Sequence, residues 1–195
     1  MAKLTSVTLI RHGEATSSER RIVGGHRGCS GLSPTGVRRA QEVGSRLAQQ
    51  RLRPSLLLVS SLRRSRQTGR IVAEQLGVPV ASPSCLWCER HAGSFDGVAF
   101  GSLPRSFRVE DPQRPMASGS ESDDQVDARA AAGLRLVERD YAGMRLAIVT
   151  HLGFLLALVE SATGNRLGLF SDQEFDEGTS VTLTRSLKGT WRCRF

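Results

Sequence analysis

The sequence predicts an α/β fold: a three-layer α/β/α sandwich whose central sheet is mostly parallel, with an antiparallel edge. Three observations carry this expectation. Short apolar runs alternate with amphipathic helical stretches from one end of the chain to the other. The runs Ser6–Ile10, Leu56–Val59 and Leu146–Thr150 read as strands buried on both faces. The tail instead alternates apolar and polar residues, the pattern of a half-exposed hairpin. No internal repeat is visible, so 1–195 reads as one domain.

The elements follow in order. After the first run, a loop rich in Gly and Arg covers Gly24 to Gly31. Ser33-Pro34 then reads as an N-cap followed by proline at the first helical position. Val37, Ala40, Val43 and Leu47 give that helix its apolar stripe, and it ends near Gln50. After the second run Ser61 can cap a helix reaching Gly77, with Ile71, Val72 and Leu76 inward. Arg64 falls in its first turn and Thr68 four positions on, on the same face. Pro79 to Glu89 reads as extended, Gly93 to Gly101 as a loop, and 104–122 as a lid or connector rich in Pro, Ser and charge. Ser122-Asp123-Asp124-Gln125 fits a capping box, with Val126, Ala130, Leu134, Val137 and Tyr141 behind it. A helix with Phe154, Leu155, Leu158 and Val159 inward follows the third run. Ser180–Thr184 and Thr190–Arg194, joined through Lys188-Gly189, form the edge hairpin.

Composition narrows the function classes. No apolar stretch nears the roughly 18 residues a membrane helix needs, and Met1 to Thr5 lacks an h-region, so a cytoplasmic protein without membrane partners is expected. The net charge of +8 raises nucleic acid as a partner. Of 27 basic residues, however, only Lys3 and Lys188 are lysine, and the arginines are scattered rather than striped. With aromatics at 5% there is little for a base-stacking platform, so no specific nucleic acid is expected. Cys29, Cys85, Cys88 and Cys193 do not form a disulfide framework in a chain this long. Cys85-x-x-Cys88 has no second CxxC and no His-x3-5-His to complete a zinc site, so ordinary buried cysteines are expected.

Each of the three buried strands delivers a histidine or arginine to one edge of the sheet. Arg11-His12-Gly13 follows the first, Arg63-Arg64 the second, and His151 the third. In an open α/β sheet that carboxyl edge is where ligands bind. Guanidinium forks suit phosphate oxygens because they donate bidentately and stay charged. A neutral imidazole can attack phosphorus and give a phosphohistidine. His12, beside an arginine at the strand exit, is the better nucleophile. His151 then donates to phosphate, more usefully when protonated. Gly13 lets the backbone approach the anion without a Cβ in the way.

The same residues carry a resemblance. Leu9-Ile10-Arg11-His12-Gly13-Glu14 resembles the signature of the histidine phosphatase, or phosphoglycerate mutase-like, superfamily. Further blocks lie in the family's order: Leu32–Gly36, Ser61–Thr68, Cys88–Gly93, Gly119–Ser122, Val149–His151 and Thr179–Val181. The resemblance implies that His12 becomes phosphorylated and that Arg11, Arg64 and His151 hold the phosphoryl group. Glu89 would protonate the leaving oxygen and then activate water. Ser18, Gly24, Arg90 and Leu152 are further candidate substrate contacts. No metal and no cofactor is implied.

Several positions depart from the family pattern. Ser18 stands where many members have asparagine, Leu152 where glycine is common, and Gly178 where asparagine often precedes the Ser-Val pair. Glu89-Arg90-His91 with Gly93 is similar to the mutase branch, but Ala92 replaces its tyrosine and 98–122 lacks an obvious second-anion insert. The expected activity is a metal-independent phosphomonoesterase, of the histidine acid phosphatase type, on a small phosphorylated metabolite. A phosphoglycerate mutase-type phosphotransferase and a non-catalytic phospho-ligand binder are the alternatives. His26 and His91 are expected at the mouth as lining or solvated residues, and Glu14, Arg63 and Arg66 as structural or rim residues. The C-terminal hairpin could supply an edge for a homodimer.

Overall fold

Among the described residues the sheet has five strands in the order β2-β3-β1-β4-β5. These are β1 (Thr5–Arg11), β2 (Leu56–Val59), β3 (Arg145–Thr150), β4 (Ser180–Arg185) and β5 (Trp191–Arg194). The computed structural model describes residues 4–50, 53–104, 111–165 and 178–194. β3 lies between β2 and β1 and is parallel to both; β4 and β5 add antiparallel edge pairing. The mixed sheet and its edge hairpin agree with the sequence expectation.

Helices cover both faces because alternate residues of the central strands point opposite ways. Leu57, Val59, Ala147, Val149 and Ile10 pack against α2 (Pro34–Ala48) and α3 (Arg63–Leu76). Val7, Leu9, Leu58, Leu146 and Ile148 face α4 (Asp123–Asp140) and α5 (Leu152–Thr163). A short helix α1 (Thr16–Glu19) lies in the connection after β1, ahead of the loop expected at Gly24 to Gly31.

Local signals place the N-termini of α2 and α4. Ser33 accepts from the Gly36 N–H and Pro34 opens α2. Ser122 and Gln125 form the reciprocal capping box of α4. Three expectations fail locally. Ser61 does not cap α3: the N-cap is Leu62, and the Ser61 hydroxyl lies 3.1 Å from Cys88 Sγ. Val37 lies at the exposed margin of the α2 stripe, where Gly36 takes the buried place. The stretch expected to be extended contains a 3-10 turn at Cys85–Trp87, capped by the Ser84 side chain. Of the lid or connector at 104–122, positions 105–110 lie outside the described residues.

Candidate active site

The register of β1 with β3 pairs Arg11 with Thr150, so His12 and His151 leave neighbouring parallel strands side by side. Their ring centroids are 4.9 Å apart, in an edge-on arrangement. Arg64, in the first turn of α3, reaches between them. Its Nε donates to His12 Nε2 at 2.9 Å, and its Nη2 lies 3.0 Å from His151 Nδ1. A third donation, from Nη1 to the Gly24 carbonyl at 2.6 Å, ties the loop after α1 to the same guanidinium.

Guanidinium has no lone pair to offer, so both imidazole nitrogens facing it are acceptors. His12 Nδ1 lies 2.6 Å from the Gly13 carbonyl and must donate to it. His151 Nε2 then donates to Ser60 Oγ at 2.9 Å. Both rings are neutral. Burial, then the Arg64 charge, hold each well below the usual imidazole range. His151, expected as a phosphate donor more useful when protonated, is neutral here, with its Nδ1 accepting from Arg64.

Arg64 is itself 5% exposed, and the three groups it donates to are all neutral. A buried cation held only by neutral acceptors is costly unless an anion joins it. Thr68 supports the arrangement from one turn further along, donating to the Arg64 carbonyl and accepting from the Gly13 N–H at 3.1 Å.

Gly13 has a different reason from the one expected. A Cβ there would stand 2.2 Å from the Gly36 carbonyl oxygen, so glycine is needed for the approach of α2 rather than for room at the anion. Gly36 answers it, since its own Cβ would meet the Glu14 carbonyl at 2.0 Å. Glu14 is structural, accepting from Ser33 Oγ at 2.6 Å.

A cleft of about 250 Å³ opens onto these groups. Arg11, His12, Arg64 and Glu89 line it, as do Ser18, Gly24, Arg90 and Leu152. His151 is not in the wall but fully buried behind Arg64. Sequence reasoning missed Ser17, Ile22, Val23 and Phe100 on the same wall; the first three flank the expected Ser18 and Gly24, whereas Phe100 is brought in only by the fold. A larger groove of about 1280 Å³ runs along β1, β4 and α2, but its described walls hold no histidine.

Glu89 sits at the start of α5, where one carboxylate oxygen accepts from the Gly153 N–H at 3.3 Å and the other from the Arg90 N–H at 3.0 Å. Its segment is held from behind by Arg129. That side chain donates to the Cys88 carbonyl at 2.7 Å, pairs with Glu121 at 2.7 Å, and lies over the Phe154 ring. Glu121 in turn accepts from the His91 N–H, and Arg90 pairs with Asp123.

The cysteines are unpaired, as expected, but three of them are only half-buried. All four are free thiols, and Cys88 alone is fully buried. Burial pushes the Cys85 thiol up to about 11, which does not suit a redox nucleophile. His26 and His91, expected as separate rim residues, converge on Cys85.

Residues 7–195 match the model of the histidine phosphatase superfamily, branch 1. The chain belongs to that superfamily. It is 28% identical over 165 residues to a metal-independent phosphoserine phosphatase of Arabidopsis thaliana, covering 80% of this chain and 68% of that one. It is likewise 28% identical over 140 residues to a 2,3-bisphosphoglycerate-dependent phosphoglycerate mutase of Thermobifida fusca, covering 66% of this chain and 56% of that one. The fold matches a mycobacterial glucosyl-3-phosphoglycerate phosphatase solved with VO3, at TM-score 0.79 and 22% identity over 97% of each chain. YhfR of Bacillus stearothermophilus matches at TM-score 0.79 and 20% identity, over 96% of this chain and 94% of that one.

Proposed function

We propose that the protein is a metal-independent phosphomonoesterase of small phosphorylated metabolites, working through a phosphohistidine at His12. The observation that carries this reading is the buried Arg64 guanidinium, shared between two neutral imidazoles and lacking a negative partner among them. A phosphoryl dianion supplies the missing charge. On its arrival Arg64 exchanges the two ring nitrogens for phosphate oxygens, leaving the His12 Nε2 lone pair free to attack. The dianion also favours protonation of His151, which then donates to it.

In the first step the His12 Nε2–phosphorus bond forms and the bond from phosphorus to the leaving oxygen breaks. Glu89, lining the same cleft, gives that oxygen a proton. In the second step Glu89 takes a proton from water, the water oxygen attacks phosphorus, and the nitrogen–phosphorus bond breaks. Phosphate leaves and His12 returns to its neutral form. Arg11 at the end of β1 and the N-terminal turn of α5 add positive potential around the phosphoryl oxygens. The cleft of about 250 Å³ suits a small ester, with Phe100 as an apolar wall for its organic part.

The test is p-nitrophenyl phosphate hydrolysis with intact-mass detection of the enzyme. Phosphate release, and a phosphorylated chain absent in His12→Ala, are expected. Interconversion of 2- and 3-phosphoglycerate without phosphate release would make the protein a mutase instead. Binding of phosphate esters with neither turnover nor a phosphoenzyme would make it a binder.

A further inference from the structure

Outside the phosphate-facing groups, three side chains from separate stretches of sequence meet at the rim of the cleft. Cys85 Sγ lies 3.4 Å from His26 Nε2 and 3.4 Å from His91 Nε2. The three atoms all fall within 4.8 Å of one another. Tetrahedral zinc, with bonds of about 2.3 Å to sulfur and 2.0–2.1 Å to nitrogen, places sulfur and nitrogen roughly 3.5 Å apart. Both sulfur–nitrogen distances already have that spacing. The two imidazole nitrogens lie within 4.8 Å of each other, and the His26 ring is exposed.

The backbones carrying these ligands are fixed. Asp96 accepts from the Arg27 and Gly28 N–H groups at 2.8 and 2.9 Å, pinning the turn that holds His26. Glu121, clamped by Arg129, accepts from the His91 N–H at 2.9 Å. Cys85 opens a capped 3-10 turn. Preset positions of this kind are what a metal site requires, because the ion then need not order its own ligands. One thiolate and two imidazoles select a borderline-soft ion over magnesium or calcium.

We propose that His26, Cys85 and His91 bind one zinc ion at the rim of the cleft, fastening the turn at 25–28 to the stretch 85–91. Binding exchanges the Cys85 thiol proton for the metal, and water completes the fourth position. The ion takes no part in phosphoryl transfer. It ties together the loop whose Gly24 carbonyl holds Arg64 and the segment that carries Glu89. This inference does not depend on the phosphatase reading.

The experiment is zinc titration of the full chain by equilibrium dialysis, with Co²⁺ as a spectroscopic stand-in. One equivalent is expected, and cobalt should give tetrahedral visible bands with a thiolate charge-transfer band. Cys85→Ser should abolish the charge-transfer band, and His26→Ala should weaken zinc binding at least about tenfold. His26 is exposed, so that variant tests the site even where Cys85→Ser folds poorly. Zinc binding that is unchanged in His26→Ala overturns the proposal. So does binding lost in His12→Ala, which would put the metal in the phosphate cleft, or no uptake at all.

Discussion

Gly13 and Gly36 are packed backbone to backbone, with no room between β1's exit and the first turn of α2 for even a methyl group. A Cβ on Gly13 would fall 2.2 Å from the Gly36 carbonyl oxygen. Gly13→Ala should therefore cost about 1–3 kcal/mol, the range for overpacking a tight contact. Urea denaturation measures it. Because the Gly13 carbonyl also fixes His12 Nδ1, phosphatase activity should fall more steeply than stability. An alanine variant with unchanged denaturation midpoint would show that α2 gives way at no cost.

Arg64→Lys keeps the charge and loses the fork. A single ammonium cannot serve His12, His151 and the Gly24 carbonyl together, nor two phosphate oxygens in one plane. We expect kcat/KM toward p-nitrophenyl phosphate to fall about 100- to 1,000-fold, the loss that follows removal of one preorganised donor. A variant within threefold of wild type would place the phosphate elsewhere.

Acid should unfold the protein through its two central histidines. His12 and His151 are held well below the imidazole range when folded, chiefly by burial, whereas in the unfolded chain they titrate at about 6.5. Their contribution to stability is fully present above that pH. Below it the unfolded chain holds protons the folded chain refuses, so stability falls as pH falls. Melting temperatures between pH 7.5 and 5 should decline, with a shallower slope in His151→Gln. Equal slopes would show that other groups govern the acid limit.

Arg129 never touches the cleft but holds the segment that does. Arg129→Leu removes its donations to the Cys88 and Glu89 carbonyls and leaves Glu121 without its cation. A loss of roughly 2–3 kcal/mol is expected, below the about 3–5 kcal/mol for breaking a fully buried pair because both partners retain some solvent. With Glu89 displaced, kcat should drop while KM changes little. A raised KM with kcat unchanged would argue that the Glu89 segment holds itself in place.

Much of this site was legible because strand exits are local signals. An apolar run followed by Arg11-His12, or by His151, fixes where those side chains emerge, and a shared sheet edge does the rest. The capping of α2 and α4 was legible for the same reason: Ser33 and Ser122 act on backbone three residues away. What could not be read was tertiary. Nothing near Ser61 announces that its hydroxyl turns to Cys88, 27 residues on, instead of capping α3. The approach of Gly36 to Gly13, and the meeting of His26 with Cys85 and His91, likewise depend on how separate loops cross.

Arg64's neutral surroundings also bear on how the protein behaves once its work is done. The inorganic phosphate released by the proposed reaction carries the same charge that the guanidinium awaits, so the product competes with the next substrate. A fold that becomes more stable as its product accumulates resists unfolding when turnover is slowest. Phosphate buffer, in that light, is a ligand rather than a bystander.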